Sequence, residues 1–197
     1  MNQLIAEAYN KAAGPYLAKY EARGVRAKDV DLALSFVLVE EPFVFEIGYG
    51  GGIEAEYVLQ KTGRYLGVDI SEAYQQIAQK RVPTAQFMIG DIHTYELPNN
   101  IDVVLAFASL LHSSKKQLET LLQDLHKKLN QAGVILLSLK KREGYQRADV
   151  TDDYTTRRFY YYDRHTLESL TKELYRVVYY DEQERQEPWL TMVLQKI

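Results

Sequence analysis

The sequence predicts an α/β protein with a three-layer, doubly wound and mostly parallel sheet. Short apolar runs typical of buried strands alternate with helical patterns along residues 44–139. A glycine-rich turn, residues 48–52, joins the first run directly to a helix, as in βαβ units that bind nucleotide-like ligands. Two more strand patterns, 176–180 and 189–194, follow a last helix, which is not how a plain dinucleotide-binding fold ends.

Composition excludes several classes of function. The chain has 197 residues, enough for one domain with a full core, and its net charge of −3 gives no bulk attraction to nucleic acid. It has no cysteine, which excludes disulfides, a thiolate nucleophile and cysteine-type zinc sites. No signal peptide and no apolar run of about 18 residues is evident, so the expectation is a cytoplasmic protein without a membrane partner.

The region before the first strand predicts two helices. Residues 3–20 keep one apolar face, with an interruption at Gly14 and Pro15. A polar break over 24–28 precedes a second, largely apolar helix, for which Asp29 is the expected N-cap. The proline just before the first strand is expected to end that helix.

The glycine turn departs from the dinucleotide-binding pattern. The strand over 44–47 contains Glu46, and Gly48 and Gly50 fit the first two glycines of G-x-G-x-x-G. The next one, Gly52, comes one residue early. Glycine leaves the backbone open to a ligand, and the helix start offers unpaired N–H groups. A glycine-rich loop without a ligand is the alternative interpretation.

Two more acids stand at the ends of the next two strands. Asp69 ends the second strand about 20 residues after Gly48, which is the spacing of an acid that binds ribose hydroxyls. Asp91 ends the third strand, and taken alone it is typical of a turn. Carboxylates accept hydrogen bonds from hydroxyl, amine and ammonium groups but repel phosphate. With Glu46, these acids indicate a ligand that presents donor groups.

The fourth strand leads to a candidate catalytic residue. It ends at Phe107, on the edge where ligands gather in open α/β sheets, and His112 follows shortly after. Imidazole titrates near neutrality, so His112 is a candidate general base. A polar cap or packing residue near the next helix is the alternative, and the one we favour from the sequence.

Together these motifs resemble those of class I S-adenosylmethionine (SAM)-dependent methyltransferases of the small-molecule type. Residues 46–52 follow the glycine motif of that family, and Asp91 with Ile92 matches the acid and apolar residue that hold adenine. Residues 8–16 are similar to an N-terminal element that folds over the cofactor. No Asn/Asp-Pro-Pro-aromatic motif follows the fourth strand, which argues against adenine-N6 and glutamine-N5 methylases. The resemblance implies seven strands with an antiparallel C-terminal hairpin.

The resemblance also implies SAM as the cofactor and a set of residues that bind it. The expected architecture is a single domain over 1–197, with 1–28 as an N-terminal helical lid and 140–162 as an acceptor-side insertion. His112 is the catalytic candidate, and Tyr9 is expected near SAM or the acceptor. The residues expected to bind SAM are Tyr16, Glu46, Gly48, Tyr49, Gly50, Gly52, Asp69, Ile70, Asp91, Ile92 and Phe107.

The implied reaction moves a methyl group to oxygen or nitrogen of a small-molecule acceptor, whose identity the sequence leaves open. A SAM-binding protein without catalysis and an NAD-dependent oxidoreductase are the alternatives. The insertion is the expected source of acceptor contacts, from Tyr145, Arg157 or Tyr160, because long connections are often functional. A solvated, partly flexible loop is the other interpretation of that segment.

Overall fold

Seven strands form one mixed sheet in the computed structural model, which describes residues 2–184 and 186–197. The helices are α1 (Asn2–Glu21), α2 (Ala27–Ser35), α3 (Ile53–Val58), α4 (Glu72–Arg81), α5 (Lys115–Lys128) and α6 (Arg164–Thr171). The strands are β1 (Val44–Ile47), β2 (Tyr65–Asp69), β3 (Gln86–Ile89), β4 (Ile101–Phe107), β5 (Leu129–Lys140), β6 (Gln146–Thr151), β7 (Thr156–Tyr161), β8 (Tyr175–Gln183) and β9 (Trp189–Lys196).

The strand order confirms the predicted fold. It is β3-β2-β1-β4-β5-β9-β8, and the pairs among β1 to β5 are parallel. β9 inserts between β5 and β8 and runs antiparallel to both. The order reverses between β1 and β4, so the carboxyl ends of these two strands border one crevice. In open α/β sheets this crevice is where ligands bind.

Helices cover both faces of the sheet, which produces the three predicted layers. α5 packs a stripe of buried leucines against one face of β4 and β5, and α2, α3 and α4 pack against the other face. β1 and β4 are buried along their whole length, as their continuous apolar runs predict. The side chains of Ser71, Ser114 and Asp163 cap α4, α5 and α6.

Residues 140–162 are more regular than the sequence suggests. They contain β6 and β7, which pair antiparallel as a separate hairpin. Arg158 and Asp149 form an ion pair across the two strands, with 2.7 Å between Nε and Oδ1, while residues 159–162 are buried. The charged, exposed face of the hairpin masks the alternating pattern that would have indicated strands.

Two helix boundaries also differ from the prediction. α1 continues through Gly14 and Pro15, because its packing against α4 outweighs the local breaking signal. α2 begins at Ala27, and Asp29 lies in its first turn, where a negative charge is favourable, rather than at its N-cap. The same helix ends at Ser35, several residues before the proline.

Candidate active site

A large cavity lies at the carboxyl ends of β1 to β4, and α1 forms part of its wall. It contains about 1210 Å³ of empty space, measured out to its open mouth. The predicted site residues that line it are Gly48, Tyr49, Gly50, Asp69, Ile70, Asp91, Ile92, Phe107 and His112.

The glycine turn gives this cavity an open backbone floor. Gly48 and Gly50 have φ values of 78° and 51°, in the left-handed region that favours glycine. A Cβ at Gly48 would lie 2.3 Å from Cβ of Ser109, so the end of β4 packs directly on this backbone. A Cβ at Gly50 would meet nothing within 4 Å. The floor at Gly50 is therefore free for a ligand to approach.

Asp69 is half-buried at the end of β2 and is hydrogen-bonded to the same turn. Gly50 N donates to Oδ2 at 3.0 Å, and Ser71 N donates to Oδ1 at 2.9 Å. Burial raises the pKa of Asp69, and the backbone N–H donors oppose that rise. Each carboxylate oxygen has a second lone pair, so both remain able to accept a bond from a ligand.

Asp91 serves the local turn and the cavity together. Its Oδ1 accepts a hydrogen bond from His93 N at 3.1 Å, which is the turn geometry that the sequence alternative describes. Asp91 and Ile92 also line the cavity. The two interpretations of Asp91 are therefore compatible.

Three predicted cofactor residues lie outside the cavity lining. Glu46 is buried behind it and accepts a hydrogen bond from the Tyr65 hydroxyl; burial raises its pKa. Tyr16 faces the β6–β7 hairpin and donates to Asp152. Gly52 precedes α3 and packs against α4. The contact of these residues with a cofactor stays a prediction.

Arg26 is a cavity residue that sequence reasoning missed. Its Nε lies 3.9 Å from Oε1 of Glu54, and its Nη1 donates to Ser138 Oγ at 3.2 Å. The guanidinium stacks on Phe107 at 5.0 Å from the ring centroid. In the sequence, Arg26 belongs to a segment that signalled only a polar break. Its position over the ends of the strands depends on the path of α1 and α2.

Three residues of the cavity lining have a buried hydroxyl without a partner among the described residues. They are Tyr49, Tyr74 and Ser109. Ala108, next to Ser109, has φ 55°, a left-handed conformation that is unusual for alanine. Buried polar groups normally have partners, and strained backbone concentrates at functional sites. Both features indicate a ligand at this wall.

His112 lines the cavity in a fixed hydrogen-bonding state. Its Nδ1 lies 2.6 Å from the Arg158 carbonyl oxygen, which can only accept, so Nδ1 carries the hydrogen. Nε2 is then the acceptor for the Tyr9 hydroxyl at 3.0 Å. Burial lowers the pKa of His112 to about 4, and the charges of Arg157 and Lys140 act in the same direction. At pH 7 this ring is neutral, and a catalytic role for His112 stays a prediction.

Two of the three insertion residues that the sequence suggested lie together, away from the cavity lining. Tyr145 stacks on Tyr160 with ring centroids 6.0 Å apart, and neither lines the cavity. Arg157 stacks instead on Tyr9, 5.1 Å from the centroid of a ring that does line it. Among the described residues there is no cluster of acids and histidines able to hold a metal ion. In the same part of the chain, every helix is too short or too polar to cross a bilayer.

Comparison with known proteins shows that this chain is similar to methyltransferases. Residues 44–133 match the model of the methyltransferase domain family. A dTDP-4-amino-2,3,4,6-tetradeoxy-D-glucose N,N-dimethyltransferase of Saccharopolyspora spinosa is 26% identical over 128 residues, which are 62% of this chain and 51% of that protein. A malonyl-[acyl-carrier protein] O-methyltransferase of Hamiltonella defensa is 28% identical over 137 residues, which are 68% of this chain and 51% of that protein. The chain thus spans about half the length of these curated relatives.

Solved structures match over nearly the whole chain. An S-adenosylmethionine-dependent methyltransferase from Clostridium acetobutylicum superposes with a TM-score of 0.72 at 15% identity, covering 95% of this chain and 98% of that one. The shared architecture extends from α1 through β9, beyond the segment that the family model matches. Residues 44–133 are therefore similar to a methyltransferase domain, and the chain has the seven-strand fold that the solved SAM-dependent methyltransferase shows.

Proposed function

We propose that this chain is a SAM-dependent methyltransferase that methylates oxygen or nitrogen of a small molecule. The observation that carries the proposal is the convergence of three features on one cavity. These are the open glycine floor, the strand-end carboxylates of Asp69 and Asp91, and the guanidinium of Arg26. The two carboxylates would repel a nucleotide phosphate, whereas SAM has no phosphate.

The residues of the cavity fit the polar groups of SAM one by one. Asp69 has free lone pairs for the two ribose hydroxyls, and Asp91 suits the adenine amino group. Arg26, already stacked on Phe107 beside Glu54, suits the methionine carboxylate. The unpartnered hydroxyls of the wall would be completed by a polar ligand. When bound, SAM supplies a methyl group on a positively charged sulfur.

The task of the protein in this reaction is positioning. α1, which forms part of the cavity wall, contacts the β6–β7 hairpin through Tyr16 and Asp152, and this contact would help to keep α1 in place beside a bound ligand. Holding the acceptor in line with the methyl group is the main contribution expected of the site, because no residue is needed as a nucleophile. Tyr9 and His112 then form an uncharged wall against which the acceptor lies.

The relatives leave the acceptor atom open. One is named for N,N-dimethylation of a nucleotide-linked amino sugar, and the other for O-methylation of malonyl-[acyl-carrier protein]. Both names describe proteins about twice the matched length, so neither acceptor is carried over to this chain. The SAM-binding protein without catalysis and the NAD-dependent oxidoreductase are less favoured by these relatives. A cytoplasmic location also stays a prediction, which cell fractionation would test.

Calorimetry with S-adenosylhomocysteine tests the proposal without knowledge of the acceptor. The unmodified chain should bind it, and Asp69→Ala should weaken binding roughly tenfold to a hundredfold, the effect of losing hydrogen bonds to a charged group. Asp124→Ala, an exposed aspartate paired with Lys127 on α5, is the matched control and should bind as the unmodified chain does. Heat with NADH but none with S-adenosylhomocysteine would refute the proposal.

A further inference from the structure

Arg157 on β7 is a largely buried cation outside the cavity lining, so the acceptor contact expected from the sequence does not explain it. Its side chain is 10% exposed, and its guanidinium faces three aromatic rings. The ring centroids lie 5.1 Å away for Tyr9, 4.8 Å for Tyr16 and 5.4 Å for Phe159. Two of these rings belong to α1 and one to β7 itself. Cation–π contacts of a desolvated guanidinium are stronger than those at exposed sites, so this stack holds α1 against the hairpin.

The hydrogen bonds of Arg157 also join α1 to the β6–β7 hairpin. Its Nη2 donates both to the Tyr16 hydroxyl oxygen and to Oδ2 of Asp152, and the Tyr16 hydroxyl donates to the same carboxylate. Lys11 adds a hydrogen bond from α1 to the carbonyl of Tyr154, in the turn of the hairpin. The lid and the hairpin therefore share one charged network, with Arg157 at its centre.

The network reaches the cavity through Tyr9. The Tyr9 hydroxyl donates to His112 Nε2, and His112 is anchored by its Nδ1–H on the Arg158 carbonyl of the same strand β7. The groups that face His112 are Tyr9 from α1, Arg157 and the Arg158 carbonyl from β7, and Lys140 from β5. Both charged members of this set are cations, so an imidazolium is disfavoured beside them.

We infer that Arg157 is a positioning residue, which holds Tyr9 over the cavity and keeps His112 as the hydrogen-bond acceptor of the Tyr9 hydroxyl. It touches neither the cavity nor any reacting atom and acts through these two side chains. Its ring contacts fix where Tyr9 stands, and its charge favours the one state of His112 in which Nε2 can accept. The inference rests on the proposed function only in identifying this wall as the acceptor end.

Histidine NMR tests the role directly, on protein loaded with S-adenosylhomocysteine and labelled at the imidazole nitrogens. In the unmodified chain His112 should be neutral at pH 7 with its hydrogen on Nδ1. Arg157→Gln removes the charge and should raise the midpoint of the His112 titration by about one unit. Arg157→Lys keeps the charge and should leave the midpoint near its original value. Loss of the signal in His112→Gln assigns the resonance.

Arg158→Gln is the matched control, because it makes the same charge change one residue away. Its side chain pairs with exposed Asp149 on the outer face of the hairpin, so the His112 midpoint should not move. A merely structural role for Arg157 would make Lys as disruptive as Gln, because a lysine cannot reproduce the planar contacts of a guanidinium. Equal midpoints in those two variants, or an equal shift in Arg158→Gln, would overturn the inference.

Asp152→Asn keeps the inference testable if Arg157→Gln does not fold. Removing the carboxylate leaves the charge of Arg157 less compensated, so the His112 midpoint should move down, opposite to the effect of Arg157→Gln. A rise in Asp152→Asn, or a hydrogen on Nε2 in the unmodified chain, would contradict it. Failure of the unmodified chain to bind S-adenosylhomocysteine would instead refute the proposed function, whatever His112 does.

Discussion

The two sides of the cavity are built in different ways. The side at β1, β2 and β3 consists of a glycine backbone and strand-end acids that all lie within residues 48–92. The side at β4 is formed by α1 and the segment after Phe107, and the β6–β7 hairpin supports it through the Arg158 carbonyl; these elements are far apart in the chain. The first side is set by local geometry, and the second by the packing of distant elements. The first side is therefore easier to disturb by one backbone change, and the second by the loss of one contact.

The largest effect should come from the glycine floor. Gly48→Ala would place a Cβ 2.3 Å from Cβ of Ser109 at a left-handed backbone, so it should destabilise the fold by about 2–4 kcal/mol. Gly50→Ala is the matched change in open space and should cost only about 1 kcal/mol of strain while still reducing S-adenosylhomocysteine affinity. Urea unfolding and calorimetry measure the two effects. Equal loss of stability in both variants would contradict the distinction.

The side at β4 should be recognisable by the pH dependence of stability. The pKa of His112 is about 4 in the fold and about 6.5 when unfolded, so the unfolded chain binds the proton first. Stability contributed by neutral His112 is present above pH 6.5 and is lost as the pH falls towards 4, by about 3 kcal/mol in total.

Denaturation curves of His112→Gln and of the unmodified chain are measured between pH 7 and pH 4.5. The difference between their free energies of unfolding gives the contribution of His112. The variant should show the shallower loss with acid. His165→Gln, on the exposed start of α6, is the matched control and should keep the full loss. An identical slope in His112→Gln would show that the ring is not buried neutral.

The smallest effect concerns strain where the two sides meet. Ala108 has φ 55°, and Ala132, in the turn before the buried part of β5, has φ 60°. Replacement by glycine at either site should stabilise the chain by roughly 0.5–1 kcal/mol, because the left-handed conformation no longer opposes a Cβ. Only Ala108→Gly should also weaken S-adenosylhomocysteine binding, since Ala108 lines the cavity. Equal affinities in the two variants would mean that the strain at Ala108 has no function.

The contrast between the two sides of the cavity explains which of its residues could be predicted from the sequence. Asp69 was identifiable because an acid at a strand end, at a fixed distance from a glycine turn, is a contiguous pattern with a geometric cause. Arg26 was not, because its contact with Phe107 depends on how α1 and α2 return over the sheet. The Tyr9–His112 hydrogen bond likewise joins residues about one hundred positions apart, and a sequence does not display such a pair.

The fold itself was more accessible than the site. Buried strands such as β4 are continuous apolar runs, and their alternation with helices indicates a parallel sheet. The hairpin of β6 and β7 was hidden because Arg158 and Asp149 populate its exposed face and obscure the period of two. The break expected at Pro15 failed for the opposite reason, since tertiary packing stabilises a helix that local propensity would interrupt.

The place of β9 constrains the order in which the sheet is completed. β8 precedes β9 in the chain, yet it joins the rest of the sheet only through β9. During synthesis β8 therefore has no strand partner in the sheet until β9 has also been synthesised. The outer edge of β5 stays unpaired over the same interval, and such edges template association between chains. Closure of the sheet by β9 is thus a late event in biogenesis, and its speed decides how long a nascent chain is open to aggregation.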